Sequence, residues 1–271
     1  MGTPDAEDFV PAPGESVVAV WRDDRCVHVV RLGLDEDLLV GRGTDLGDDR
    51  VSARSRVLRI PSDQSFISRK HLVVRNGVSA ASLFVLAEVR NPGKTRHWGE
   101  LTWRSVGAGS RVEPRHGLLA FRLPDRPAWV LTVHSGDRRA GRGPLAGPDD
   151  EITELEGAPP PIVVSPTQRE ALVVPLIDAV RWPPSAEPGR VRAWSEVPGG
   201  ASHRVAYHRL AAAADANAAF PWSDIGRRGA DPELLEDLVV TGSISYADVR
   251  RLRPWRLSAP EGLVSAVQHE N

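Results

Sequence analysis

Asp37-Leu38-Leu39-Val40-Gly41-Arg42 and, further along, Ser68-Arg69-Lys70-His71-Leu72-Val73-Val74-Arg75 are two short apolar runs, one ending and one beginning on polar residues. Both are rich in Val and Leu and too short for a helix of ordinary length. The glycine and the polar quartet punctuate them, so each reads as a strand with a loop at one end. Outward from this pair the same texture holds from Ser16 to about His134: Val-rich runs cut by Gly, Pro, Asp and Asn. Strands are expected at Val17–Trp21, Cys26–Leu32, Asp37–Gly41, Val57–Ile60, His71–Arg75, Leu83–Val89, Leu101–Val106, Leu118–Leu123 and Ala128–Val133. That pattern predicts an antiparallel β-sandwich of about ten or eleven strands.

The rest of the chain has a different texture. Residues 1–15 are acidic and proline-containing and are expected to be a disordered N-terminal segment; residues 135–161, rich in Gly, Pro, Arg and Asp, read as a linker. Residues 162–257 read as a mostly helical domain and 258–271 as a tail. Ser165-Pro166-Thr167-Gln168 opens the first helix, with Ser as cap, Pro at the first helical position and Gln closing a capping box. That helix runs through Glu170–Val180, shortened or kinked by Pro175. Further helices are expected at Arg190–Val197, where Val191, Trp194 and Val197 lie three apart, and at Ser202–Asn217, Asp231–Val240 and Ser245–Leu252. A helix, a glycine turn and a helix give this half a helix-turn-helix or winged-helix outline.

Composition narrows the function. The chain has 271 residues with a net charge of −2, so it lacks the overall basic field that non-specific nucleic-acid or membrane binding needs. Lys70 and Lys94 are the only lysines among 34 basic residues, a bias that reads as genomic composition. Cys26 is the only cysteine, which excludes an internal disulfide or a cysteine zinc cluster and points to a reducing, cytoplasmic setting. No run reaches membrane-spanning length, Met1–Ser16 has no apolar signal core, and Ala6 stands where a myristoylation motif after Gly2 needs Ser or Thr.

The chemistry-bearing pattern is a strand ending in Gly41-Arg42 and a later Ser68-Arg69-Lys70-His71 leading into the next strand. This arrangement resembles the forkhead-associated (FHA) domain family. The resemblance implies a non-enzymatic module that binds phosphothreonine, with Arg42 and Ser68 holding the phosphate, Arg69 adding a donor, and Gly41 and His71 supporting the binding loop. The physical logic is that a phosphate carries about −1.5 to −2 charges and three strong acceptor oxygens, which suit forked guanidinium donors on rigid strand ends. The family also grips the peptide backbone with an asparagine between the sixth and seventh strands. Here the usual Ser-x-Asn-Gly-Thr run is replaced by Glu88-Val89-Arg90-Asn91-Pro92-Gly93-Lys94-Thr95, so Asn91 takes that role from a position offset by two residues. The helical half resembles the C-terminal regions of some actinobacterial FHA proteins.

Other signals are weaker. Arg50, Arg54 and Arg56 are placed to read acidic residues beside a phosphothreonine, but Asp45, Asp48 and Asp49 balance them, which favours solvated loop charge. Gly93-Lys94-Thr95 resembles the end of a P-loop, yet Glu88 stands where the first glycine belongs. No H-E-x-x-H or G-x-S-x-G occurs, so neither metal, cofactor nor catalytic residue is implied. Eight tryptophans, four in each half, suggest one aromatic core cluster apiece.

A phosphothreonine-dependent adaptor, acting downstream of a Ser/Thr protein kinase on a phosphothreonine-containing partner, is therefore the leading expectation. The alternative is a phosphorylation-controlled transcription factor, with His203, Arg204, Tyr207, His208 and Arg209 contacting DNA or a partner. Against DNA, residues 162–271 hold 12 arginines and 13 acidic residues, a formal charge of −1.

Overall fold

A computed structural model of the chain describes residues 9–22, 25–43, 54–61, 66–78, 81–124, 128–136, 161–218 and 230–252. Most of the expected N-terminal segment and linker, and the whole tail, lie outside them. The chain divides into two compact units: Met1–Trp98 with Thr102–Asp150 and Ser185–Pro188, and Gly99–Leu101 with Glu151–Pro184 and Gly189–Asn271.

The described part of the first unit is a β-sandwich of eleven strands: β1 (Ser16–Arg22), β2 (Arg25–Leu32), β3 (Glu36–Gly41), β4 (Ser55–Arg59), β5 (Leu72–Asn76), β6 (Ala81–Val85), β7 (Lys94–His97), β8 (Arg104–Ser105), β9 (Arg111–Val112), β10 (Leu118–Arg122) and β11 (Trp129–Ser135). One sheet runs β2-β1-β11-β10-β7-β8 and the other β4-β3-β5-β6-β9. Among the described strands, β3 and β4 pair in parallel and the other pairs are antiparallel.

Alternate residues face inward, as the period of two requires. Leu38 and Val40 of β3, Leu72 and Val74 of β5 and Leu83 and Val85 of β6 meet Val18, Val20, Leu119, Phe121, Leu131 and Val133 of the other sheet in one core cluster. Strands β1, β10 and β11 are buried on both faces, since Ala19, Ala120 and Thr132 also lie below 4% exposure. Their sequences are accordingly continuous apolar runs rather than alternating ones.

Two parts of the sequence reading need correction here. The strand expected over Leu101–Val106 shrinks to Arg104–Ser105, while Lys94–His97, which has no apolar residue, forms a strand whose Thr95 and Arg96 are buried. The tryptophans do not gather into one cluster: Trp129 joins the main core, whereas Trp21 packs against Phe9 with ring centroids 5.1 Å apart.

At one end of β5 a buried amide joins the two sheets. Asn76 Nδ2 donates to the carbonyls of Gly14, Leu32 and Gly33, and its Oδ1 accepts the Ser16 hydroxyl at 2.7 Å. Both β1 and β2 are thereby tied to β5 at a point with no access to water.

The described part of the second unit is helical: α1 (Pro166–Val173), α2 (Ile177–Val180), α3 (Gly200–Ala218), α4 (Pro232–Val240) and α5 (Tyr246–Leu252). The Ser165–Gln168 capping box forms, and Pro175 divides the first expected helix into α1 and α2. The helix expected over Arg190–Val197 does not form; only Trp194–Glu196 makes a single 3-10 turn. Its spacing of three is the 3-10 period, and its backbone bonds elsewhere: Arg190 N–H to Asp178 and Arg192 N–H to the Pro175 carbonyl. Glu196 folds back onto Ala193 N–H and the Arg190 guanidinium. Among the described residues this unit forms no strand to serve as a wing, and the first helix of the helix-turn-helix outline is missing. Among the described residues no helix is long and apolar enough to cross a membrane.

Replacing Asn76 with Ala strips the Gly14, Leu32 and Gly33 carbonyls of their donor and the Ser16 hydroxyl of its acceptor, and we expect a loss of about 4 kcal/mol at roughly 1 kcal/mol per bond. Urea unfolding of the first unit checks this, and an unchanged midpoint would contradict the inter-sheet role of Asn76.

Candidate functional site

Strand register brings the sequence-predicted residues to one end of the sandwich. The last residue of β3, Gly41, lies beside the last of β4, Arg59; Val40 pairs with Leu72 at the start of β5; and Leu72 pairs with Val85 at the end of β6. The β3–β4 loop with Arg42, the β4–β5 loop with Ser68 and Arg69, and the β6–β7 loop with Asn91 therefore emerge from the same edge.

The first two loops are bonded backbone to backbone. Arg42 N–H donates to the Ser68 carbonyl at 3.1 Å and Gly43 N–H to the Arg69 carbonyl at 3.0 Å. Such an approach requires glycine at 41: a Cβ there would stand 2.0 Å from the Arg69 carbonyl oxygen. The Gly41-Arg42 pair in the sequence is thus one device, a gap for the neighbouring loop followed by the side chain that loop faces.

His71 fastens the third loop to the second. Its ring is fully buried, Nδ1 accepts the Ser68 N–H at 3.3 Å, and Nε2 lies 3.0 Å from the Pro92 carbonyl. Since Nδ1 is an acceptor, the proton sits on Nε2 and is donated to Pro92, which defines a neutral ring. Burial lowers the His71 pKa below its ordinary 6.5, against the opposing pull of the Pro92 carbonyl. Phe121 braces the ring edge-on at 6.2 Å. Gly93, at φ +107°, lets the loop lie on β10, because a Cβ there would meet the Arg122 carbonyl at 2.6 Å.

Around this scaffold stand the side chains of Arg42, Ser68, Arg69 and Asn91. Arg42 is half-buried, and its Nε is shielded from solvent without a hydrogen-bond partner. Ser68 is half-buried, Arg69 and Asn91 are exposed, and none of their side chains is held by another described residue. At this end of the sandwich the described residues Arg42, Arg69, Lys70 and Arg90 of these loops and Lys94 at the start of β7 stand against one carboxylate, Glu88. What the arrangement can do chemically is receive an anion. Arg54 and Arg56 stand at the far end of β4, where Arg56 pairs with Glu36 at 3.1 Å; Arg50 lies outside the described residues. Lys94-Thr95 begins a strand, so the P-loop likeness ends there.

In the second unit Arg204 and Arg209 are exposed and His208 is half-buried on α3, but Tyr207 cannot contact DNA or a partner. It is fully buried against Trp194, and its hydroxyl accepts the Asp231 N–H at 2.8 Å. Burial pushes its pKa up to about 12. Its aromatic character signalled the core, and nothing in the sequence placed Asp231 over the hydroxyl.

The neutral His71 sets a pH dependence. In the unfolded chain it takes up a proton near 6.5, while in the fold it resists doing so. Its stabilising contribution is therefore complete above pH 6.5 and declines as pH falls through the lowered folded value. We expect the melting temperature of the first unit to drop between pH 7 and 5, with a shallower drop in His71→Ala. That variant should also be less stable at pH 7 by about 2–4 kcal/mol; parallel pH profiles for the two proteins would refute the assignment.

No protein-family model matches the chain, and no curated protein matches it. Solved structures similar to part of it include the FHA-1 domain of Mycobacterium tuberculosis Rv1747, at 18% identity and a TM-score of 0.29 over 46% of this chain and 100% of that one. The FhaA FHA domain, solved in complex with the intracellular domain of Rv3910, is similar at 21% identity and a TM-score of 0.28 over 43% and 99%. The IAD domain of interferon regulatory factor 9 is similar at 7% identity and a TM-score of 0.36 over 52% and 89%.

Proposed function

We propose that the first unit is an FHA-like module that binds a phosphothreonine in a partner protein, and that the chain acts as a non-enzymatic adaptor downstream of a Ser/Thr kinase. The observation that supports this reading is the backbone pairing of Arg42 with Ser68 at a loop-bearing sheet end, which joins a residue whose guanidinium Nε is shielded and without a partner to one that carries a hydroxyl. A phosphate supplies what these groups lack. Arg42 and Arg69 donate to its oxygens, Ser68 adds its hydroxyl, and Asn91 reaches the peptide backbone. Charge-assisted bonds of roughly 1.5–3 kcal/mol each, offset by association and ordering, give a Kd on the order of micromolar. The cytoplasm is the setting this role requires.

For the second unit, a protein-interaction role is better supported than DNA reading. Its segment before α3 is extended rather than helical, and Tyr207 is interior.

Arg42→Ala should reduce affinity for phosphothreonine peptides at least tenfold, the equivalent of one charge-assisted bond, without lowering the melting temperature. Ser68→Ala should weaken binding by a smaller factor. Titration calorimetry with phosphorylated and unphosphorylated forms of one peptide is the measurement, and wild-type affinity in the Arg42 variant would end the proposal. Because the phosphate's second pKa is about 6, affinity should also weaken below that pH.

A further inference from the structure

Beside the β6–β7 loop lies an open groove of about 760 Å³. Phe66, Val106, Leu123 and Pro124 form its apolar wall, and Lys94 and Arg122 supply its charge; among the described residues no carboxylate lines it. Asn91 and Pro92 form its rim on the side of the phosphate cradle.

Three features mark this groove as more than a surface irregularity. Phe66 is 50% exposed, an unusual state for a phenylalanine, and it stands two residues before Ser68 on the same loop. Lys94 is exposed and has no ion-pair partner among the described residues, while Arg122, which gives Nη1 to the Ala186 carbonyl at 2.8 Å, adds a second positive charge. The groove also adjoins the scaffold of the cradle, since its rim residue Pro92 is bonded to His71 and His71 to Ser68. A chain bound at Ser68 and leaving past Asn91 enters the groove within a few residues, at about 3.3 Å per residue.

We propose that this groove is the sequence-reading surface of the same site, and that it selects phosphothreonine peptides in which a large apolar side chain and a carboxylate lie together on one flank. The inference rests on the phosphothreonine reading above and adds the class of partner. The apolar side chain packs on Phe66, Val106 and Pro124, and the carboxylate meets Lys94 at the mouth. A flank with basic residues is disfavoured by the same two cations.

The test uses the full chain and a set of peptides built around one phosphothreonine. Their flanks, varied on either side, are Leu with Glu, Leu with Lys, or Ala with Ser, and each peptide has an unphosphorylated control. The wild-type protein is expected to prefer the Leu-Glu flank over Ala-Ser by about tenfold, on the scale of one buried apolar side chain. Phe66→Ser should erase the Leu preference and leave the Ala-Ser peptide bound as before. Lys94→Glu should turn the Leu-Glu preference into one for Leu-Lys. If every phosphopeptide binds the wild type equally, or both variants keep the wild-type ranking, the groove assignment is overturned while the phosphate site stands. If no phosphopeptide binds in preference to its control, both readings fall together.

Discussion

A single buried imidazole holds the candidate site together. His71 gives its backbone N–H to Val40 at 2.9 Å and accepts Leu86 N–H on its carbonyl, so its main chain is part of the sheet ladder. Its ring then reaches sideways to two loops at once, accepting from Ser68 and donating to Pro92. Only a neutral ring does both. A lysine or arginine at this position carries donors alone, and a protonated histidine loses the acceptor that the Ser68 amide uses. The desolvation that lowers the His71 pKa is therefore part of the same device that positions the loops.

Strand β5 has a polar fastening at each end, His71 just before it and Asn76 at its close, with Leu72 and Val74 between them in the core. Hydrogen-bond direction fixes loop and strand positions that apolar packing alone leaves free to slide. The glycines act in the same sense, since Gly41 and Gly93 let main chains meet where a methyl group would hold them apart. A site prepared in this way needs little reordering when a ligand arrives, so more of the interaction energy appears as affinity.

Much of this was legible in the residues. The apolar runs located nine of the strands, since short runs of Val and Leu bounded by Gly, Pro, Asp and Asn have few other readings. Gly41-Arg42 and Ser68 to His71 marked the loops that converge. Lys94–His97 was invisible because its place in the sheet comes from pairing with β10, not from its own side chains. The two-residue strand Arg111–Val112 is too short to leave a period. Arg190–Val197 misled because a spacing of three suits both a helix face and a single tight turn, and the deciding bonds come from Asp178 and Pro175, far away in the chain. The pairing of His71 with Pro92 likewise had no local signal.

The parallel pairing of β3 with β4 has its own geometric consequence. After Gly41 the chain must travel back the full length of a five-residue strand, about 17 Å, before Ser55 can start beside Asp37. At no more than about 3.6 Å per residue this return path cannot be trimmed below roughly five residues without unpairing β4, whereas each doubling of its length costs only about 0.6 kcal/mol. Evolution or an engineer can lengthen this span freely, and Arg42 keeps its place because it is anchored on the near side of the journey.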